Sequence, residues 1–310
     1  VFTSLGFQLV DIRSGFALLL LWGVGGLAAL CGAISYAELG ATFPRSGGEY
    51  NFLSRIYHPA AGFVSGWISA AVGFAAPTAL AAMTFAAYLT SSLFGEVSTT
   101  IEKSFAVLLL FVLAAIHGTN HRNSGGAQVI FTVLKVIVIL VFIFATLIVV
   151  GSPQPITFSP IEGDLEVITS GSFAVALIYV SFAYSGWNAA TYLAGEIEHV
   201  QTDMPKILVR GTLFVTLLYI LLHLVFLLVA PMSEMQGKLE VGYVAASYAF
   251  GAEAGRWFSL MLSVLLISTA SAMIASGPRT LQRIGQDFAL LSFLSKENAV
   301  GIPQSAILFQ

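Results

Sequence analysis

The residues best suited to binding a solute lie together inside an apolar segment, in the stretch SFAYSGWNAA (181–190). Gly186 is a poor helix former, and the side-chain amide of Asn188 can make up to four hydrogen bonds. A helix interrupted here would leave backbone groups without partners, which a membrane tolerates only where the break is buried in protein or faces water. Helix ends near the midplane recurrently hold charged groups of small solutes, amides binding anions and carbonyls binding cations. The stretch therefore predicts part of a solute-binding site, against the alternative that Gly186 serves only close helix packing.

A second candidate for chemistry is Lys135, an isolated charge in the apolar run FTVLKVIVILVF. It lies roughly 12 Å along the helix from the start of the predicted span near Ala127, at about 1.5 Å per residue. Such a lysine either snorkels to the membrane surface or faces the bundle interior, bonded to backbone carbonyls of a broken helix. We favour the interior position, where the ammonium is a fixed cation or a group that releases its proton, because burial disfavours its charged form.

The other reactive side chains predict no catalytic or metal site. Histidines three or four residues apart on one helix would indicate a metal site. The histidines are His58, His117, His121, His199 and His223. Only His117 and His121 are four apart, and Gly118 and Asn120 between them mark the end of a span. Cys31 is the single cysteine, which excludes an internal disulfide, and no phosphate loop or nucleophile elbow occurs. We expect no enzyme, metal or cofactor.

The composition indicates the class of protein that must position these residues. Hydrophobic residues make up 57% of the chain and charged residues 9%, with a mean hydropathy of +0.88. A soluble domain carries roughly 25% charged residues. The apolar residues occur in blocks of about 20, the length of a membrane-spanning helix, and not in the alternating blocks of a membrane barrel. We therefore predict an all-α integral membrane protein built as a helix bundle.

We expect one transmembrane domain over residues 1–310, with both ends of the chain cut inside spans. The partial spans are placed at 1–10 and 303–310. The predicted whole spans are 15–39, 60–93, 104–119, 127–151, 172–195, 206–230 and 256–278.

Basic residues in the loops predict the orientation, because Lys and Arg in short loops favour the cytoplasm. On one side they are Arg45, Arg55, Arg122, Lys206, Arg210, Arg279, Arg283 and Lys296, and on the other Arg13, Lys103, Lys238 and Arg256. The loops expected in the cytoplasm are 40–58, 118–126, 196–206 and 279–302. The net charge of −3 adds nothing about partners, and no feature suggests nucleic-acid binding.

Four motifs in order resemble the amino acid–polyamine–organocation (APC) superfamily, and the likeness is closest to bacterial amino acid permeases and L-type exchangers. The first is GAISYAELGATFPRSGGEYNFLSRIYHPAAGFVSGW (32–67), which is similar to the second span, first inner loop and third span. FTVLKV (131–136) is similar to the fifth span. FAYSGWNAATYLAGEIEHVQTDMPKILVRGT (182–212) is similar to the sixth span and the loop after it, and GPRTLQRIGQDFALLSFL (277–294) to the end of the eighth. The resemblance covers essentially the whole chain.

The resemblance implies a LeuT-like fold of two inverted five-helix repeats with broken first and sixth spans. This chain would be a fragment from the second half of span one to the start of span nine, and the family's carboxylate-binding turn would lie just before Val1. By similarity, the carbonyls of Phe182, Ala183 and Ser185 would take a substrate ammonium, and the Phe182 ring would close over the substrate. The other predicted residues of the binding segment are Tyr184, Gly186, Trp187 and Asn188.

The resemblance also implies coupling and gating residues. Lys135 would lie against the broken first span, where sodium-coupled relatives place a cation, and Ser268, Thr269 and Ser271 would face that region. Together with Phe182, the predicted gating residues are Glu38, Arg45 and Glu49.

The function implied is secondary active transport of amino acids by alternating access. Neutral amino acids are favoured, because no acidic residue maps inside the spans near the break, and protons are the candidate coupling ion. The expected location is the plasma membrane, the inner membrane of a bacterial cell. The alternatives are a non-transporting receptor or accessory subunit that keeps the permease fold and, among transporters, exchange of polyamines or cationic amino acids. The choice of amino acid, exchange or symport, and the oligomeric state stay open.

Overall fold

The chain folds into helices joined by loops, as seen in a computed structural model that describes residues 4–94, 97–119, 121–238 and 240–310, without the side chains at 121–124 and 127. The helices are α1 (Leu5–Gln8), α2 (Gly15–Thr42), α3 (Glu49–Ile56), α4 (Pro59–Ile68), α5 (Ala76–Phe94), α6 (Thr99–Thr119), α7 (His121–Val149), α8 (Asp164–Ile168), α9 (Gly171–Tyr184), α10 (Ala189–Tyr192), α11 (Val200–Val229), α12 (Met232–Met235), α13 (Val241–Phe250), α14 (Ala252–Asp287) and α15 (Gln304–Phe309). A π-helical segment, Ser69–Ala75, joins α4 to α5. The described residues contain no strand, so the all-α prediction is confirmed.

Six of the described helical segments are long and apolar enough to cross a membrane. They are Gly15–Thr42, Pro59–Phe94, Thr99–Thr119, Gln128–Val149, Val200–Val229 and Ala252–Asp287. Their outer faces are apolar: only 17% of the apolar segment of Thr99–Thr119 is buried. A helix that is apolar on all sides and largely uncovered requires lipid around it. The chain is therefore a multi-pass membrane protein.

The segment 172–195, expected as a broken span, contains two helices. Helix α9 has 14 residues and ends at Tyr184, and α10 resumes at Ala189. At about 1.5 Å per residue, α9 is too short to span a hydrocarbon core of about 30 Å. The interruption falls on the residues Ser185–Asn188 of the predicted binding segment.

The described chain divides into two compact units. Unit 1 contains Val1–Ser35, Ile137–Trp187 and Leu208–Ser259, and unit 2 contains Tyr36–Val136, Asn188–Ile207 and Leu260–Gln310. The chain passes from unit 1 to unit 2 within the interruption, between Trp187 and Asn188.

Unit 1 holds α9 close against α2. A Cβ atom added at Gly25 would collide with Val180, and one at Gly26 would approach the hydroxyl of Tyr184 to 2.9 Å. Glycine at these positions therefore permits the close helix crossing that the small residues of this segment predict. Elsewhere in the unit, the rings of Phe142 and Phe258 stack at 4.3 Å.

Unit 2 has an alanine-rich core between α5, α6, α14 and α15. The core is centred on buried residues that include Ala82, Ala86, Leu113, Ala270 and Ile302. The π-helical segment of this unit lies just before Pro77. A proline cannot donate to the carbonyl four residues earlier, and a π-helical turn is one of the ways in which a helix accommodates that loss.

Candidate functional site

The interruption after α9 has a backbone conformation that requires glycine. Ser185 leaves the helical region with φ −54° and ψ 140°, and Gly186 has φ +102°. L-residues avoid this positive φ because of their Cβ atom. Both Ser185 and Gly186 are exposed. The predicted break in the helix is thus present, and Gly186 makes the turn.

The carbonyls predicted to bind an ammonium belong to the last turn of α9 and to the turn after it. The last four carbonyls of a helix have no partner inside the helix and carry the negative end of its dipole. The Phe182 carbonyl accepts hydrogen bonds from Ser185 N at 3.1 Å and from Ser185 Oγ at 2.6 Å. The Ala183 carbonyl accepts one from the hydroxyl of Tyr219 at 3.1 Å. The Phe182 side chain is 58% exposed.

An aromatic cluster of unit 1 fixes the end of α9, and Tyr184 is the one of its members that the sequence predicted for the binding segment. The Tyr184 hydroxyl donates to the carbonyl of Trp22 at 3.1 Å, and Trp22 Nε1 donates to Gln8 Oε1 at 3.0 Å. The Trp22 ring stacks on the imidazole of His223 at 3.8 Å. Tyr219 and His223 are one turn apart in the apolar run LLYILLHLVF, and that pair of polar residues is the signal that could have indicated them.

Trp187 packs within unit 1 against α2. A Cβ atom added at Gly32 would lie 2.8 Å from the Trp187 ring. The ring therefore fills the space that the missing side chain of Gly32 leaves.

On the other side of the interruption, Asn188 is joined to a predicted gating residue of unit 2. Asn188 Nδ2 donates to Glu49 Oε1 at 2.5 Å, and the hydroxyl of Tyr192 donates to Glu49 Oε2. The amides of Gly47 and Gly48 bond to the carbonyls of Tyr192 and Thr191 at 3.3 and 3.4 Å. The loop that carries the SGGE motif is thereby fastened to α10.

The second predicted gating residue, Arg45, forms an ion pair within unit 2. Its guanidinium donates twice to the carboxylate of Asp287, at 2.9 and 2.7 Å, and the Tyr50 hydroxyl donates to the same carboxylate at 2.6 Å. The hydrogen bond to Asp287 raises the pKa of Arg45. Burial, followed by the bond to Asp287, raises the pKa of Tyr50. Glu38 is exposed on α2 and is not among the described contacts of Arg45 or Glu49.

Lys135 contacts one of the three predicted coupling residues of unit 2. Its Nζ donates to Thr269 Oγ1 at 3.0 Å, a side-chain hydroxyl where the sequence predicts backbone carbonyls. This bond connects Lys135 to α14. Ser271 bonds instead to His117 Nε2 at 2.8 Å and to Gln128 Oε1 at 3.0 Å, and Ser268 is buried.

Among the described residues, no group of three or more His, Cys, Asp or Glu side chains is arranged to hold a metal ion. The side chains of His121 and of Arg122, one of the basic residues used to predict orientation, lie outside the described part of the chain. Val1, just after the expected carboxylate-binding turn, also lies outside it.

Comparison with known proteins supplies the family. The sequence pattern of the amino acid permease family matches residues 2–310. The chain belongs to the amino acid permease family. This confirms the resemblance to the APC superfamily and the expectation of a transporter family rather than a family of enzymes.

Named relatives of this permease chain are transporters of amino acids. It is 28% identical to the serine/threonine exchanger SteT of Bacillus subtilis (strain 168), over 83% of this chain and 57% of the relative. It is 24% identical to the mouse b(0,+)-type amino acid transporter 1, over 76% and 48%. It is 28% identical to the human large neutral amino acids transporter small subunit 2, over 75% and 43%. The chain thus spans about half the length of these relatives.

Proposed function

We propose that this permease chain is part of a secondary active transporter that moves amino acids, neutral ones above all, by alternating access. In this proposal the substrate's α-ammonium binds at the end of α9. The main supporting observation is the interruption itself. A helix too short to span the membrane ends at Tyr184, a glycine at positive φ follows, and a new helix begins after four intervening residues. Membership of the permease family and the names of its relatives support the same function.

The chemistry of the helix end suits an ammonium group. An ammonium donates three hydrogen bonds and carries a positive charge, and the carbonyls of Phe182 and Ala183 lie at the negative end of the α9 dipole. A carbonyl oxygen has two lone pairs. The Ala183 carbonyl can therefore keep the Tyr219 hydroxyl and accept an ammonium hydrogen as well. The Phe182 carbonyl already accepts two hydrogen bonds from Ser185, so an ammonium would have to displace the Ser185 hydroxyl there.

Neutral amino acids were favoured on the expectation that no acidic residue lies near the break, but within unit 2 one carboxylate is bonded to Asn188, the last residue of the interruption. Glu49 accepts a hydrogen bond from Asn188, although the sequence places it in a loop. Both of its oxygens already accept hydrogen bonds, one from Asn188 and one from Tyr192. We propose that this keeps Glu49 from pairing with a cationic side chain. Transport of cationic amino acids or polyamines is the alternative that this carboxylate favours.

The mode of coupling depends on Lys135 in this proposal. An ammonium that releases its proton during the cycle would couple transport to a proton gradient, whereas one that stays charged would act as a fixed cation. The hydrogen bond to Thr269 is compatible with both.

Uptake by the native full-length protein in proteoliposomes tests the function. L-leucine, L-serine, L-lysine and putrescine are tried with and without internal substrate and with and without a pH gradient. We expect saturable uptake of L-leucine or L-serine that exceeds uptake of L-lysine and putrescine. If none of the four moves, the transport proposal fails, and binding of L-leucine without flux would favour the receptor alternative.

We further propose a plasma-membrane protein with the loops 40–58, 118–126, 196–206 and 279–302 in the cytoplasm. Single cysteines test this in a background that lacks Cys31 and any cysteine outside residues 1–310. They are Ser292→Cys in the last of these loops and Ser159→Cys in a loop of the opposite side, both at exposed positions. We expect an impermeant maleimide added to intact cells to label Ser159→Cys only. Labelling of Ser292→Cys alone would reverse the orientation.

A further inference from the structure

Tyr219 makes a directed contact with the predicted ammonium subsite from a different helix. Its hydroxyl, on α11, donates to the carbonyl of Ala183 at 3.1 Å. The ring lies 5.1 Å from that of Tyr184 and 5.6 Å from that of Trp22. The side chain is therefore packed between aromatic rings with its polar end pointing at one carbonyl of the last turn of α9.

The position of Tyr219 is itself fixed by neighbouring bonds. His223 Nδ1 lies 2.7 Å from the Tyr219 carbonyl, and a carbonyl can only accept, so Nδ1 carries the hydrogen. The imidazole stacks on Trp22, whose carbonyl accepts from Tyr184. These hydrogen bonds and the ring contact thus connect residues of α2, α9 and α11 into one continuous set of contacts within unit 1.

We infer that Tyr219 is a positioning residue of the ammonium subsite, holding the Ala183 carbonyl so that its second lone pair is presented to the substrate's amino group. This inference rests on the proposed binding of an amino acid at the end of α9. A carbonyl aimed in advance binds the ammonium without the cost of ordering it at the moment of binding. Without the hydroxyl, the carbonyl at this helix end would be free to turn toward other donors.

The variant Tyr219→Phe removes the hydroxyl and keeps the ring. We expect the KM for L-leucine to rise roughly threefold to tenfold, the worth of one hydrogen bond of about 1 kcal/mol with its context dependence, while kcat changes little. Tyr179→Phe is the matched control, because it removes a hydroxyl from α9 itself at an exposed position where the ring stacks on Phe7.

A second substrate separates positioning from a general structural effect. N-methyl-L-leucine has one N–H fewer and uses the carbonyls less fully. Its inhibition constant against L-leucine uptake should therefore rise by less than about twofold in Tyr219→Phe, well below the worth of a full hydrogen bond. The discrimination between the two ligands should fall in Tyr219→Phe and stay at the wild-type value in Tyr179→Phe. Equal losses for both ligands, or unchanged kinetics, would overturn the inference.

Hydrogen exchange on the purified full-length protein without substrate provides a measurement independent of transport. We expect backbone amides in the peptide covering 181–190 to exchange faster in Tyr219→Phe than in the wild type and in Tyr179→Phe. Equal exchange in all three proteins would refute the positioning role. A wild type that moves no amino acid would refute the proposed function alone, and the exchange comparison would still decide the role of Tyr219.

Discussion

Replacing Gly186 by alanine tests whether the turn after α9 is needed for transport. Among the described residues, an added Cβ at this position would meet no heavy atom within 4 Å, so steric collision with them contributes nothing. The penalty comes from the backbone alone, because φ is +102°. Holding a non-glycine residue in such a region costs roughly 1–3 kcal/mol.

This strain energy has two possible effects, and both can be measured. If the turn keeps its shape, the free energy of unfolding falls by the full strain. If the backbone relaxes, the productive turn becomes a minority state, reduced roughly 5-fold to 150-fold by the same energy. We therefore expect Gly186→Ala to lower the melting temperature, the initial rate of L-leucine uptake in proteoliposomes, or both.

Gly211→Ala is the matched control. Its added Cβ also meets no heavy atom within 4 Å, but Gly211 lies inside α11, where alanine is favoured over glycine by about 1 kcal/mol. We expect this variant to keep its uptake and to melt no earlier than the wild type. If Gly186→Ala behaves like Gly211→Ala in both assays, the assigned role of the turn is wrong.

Three further substitutions test the groups around the break and the loops. Glu49→Gln weakens the hydrogen bonds from Asn188 and Tyr192 by about 1.5–3 kcal/mol, the worth of a hydrogen bond to a charged group. It should therefore lower the melting temperature of the purified protein. An unchanged melting temperature would contradict the assigned contacts. Tyr50→Phe removes the hydroxyl bonded to Asp287. Because the pKa of Tyr50 is raised in the folded protein, the stabilisation by this hydroxyl is complete below the unfolded pKa, and it is lost progressively as the pH rises from the unfolded pKa to the folded pKa. The difference in melting temperature between the wild type and Tyr50→Phe should thus be constant from about pH 6 to about pH 9 and shrink above about pH 10, and a difference that changes within the lower range would refute this. Lys135→Met removes the cation bonded to Thr269 and should lower L-leucine uptake at least about tenfold, the effect of some 1.4 kcal/mol. Measuring uptake with and without a pH gradient distinguishes an ammonium that titrates from one that stays charged. Unchanged uptake would exclude both roles.

Hydropathy and local chemistry were sufficient for the helical class and for the break after α9. Apolar blocks identify membrane helices because lipid admits few charges. Gly186 two residues before Asn188 indicates an interruption because neither residue suits a lipid-exposed helix. Hydropathy alone placed the end of the last predicted whole span at residue 278, whereas helix α14 continues to Asp287. The part of α14 after residue 278 contains the buried polar residues Arg279, Thr280 and Gln282, and Arg279 is 8% exposed and bonded to Glu196. Hydropathy cannot distinguish such a paired, buried polar residue from one in a loop.

Contacts between distant residues were beyond the sequence for a different reason. Arg45 and Asp287 are 242 residues apart, and their pairing depends on where the inner loop and the end of α14 come together. The bond from Tyr219 to Ala183 likewise requires the crossing point of α11 and α9. Residue types indicate which groups need partners, but only the packing decides which partner each one finds.

The position of Trp187 gives the protein a built-in optical reporter. Its indole directly follows the turn at Gly186 and rests on Gly32, half-buried, so its emission depends on how closely the turn is held against α2. The chain has four tryptophans, of which Trp67 and Trp257 are exposed and Trp22 is buried. With Trp67, Trp257 and any tryptophan outside residues 1–310 replaced by phenylalanine, the signal of the buried Trp22 serves as an internal reference. Quenching of the Trp187 fluorescence by acrylamide then measures how closely the turn is held against α2, and a comparison with and without amino acid tests whether a ligand changes it, without any attached dye.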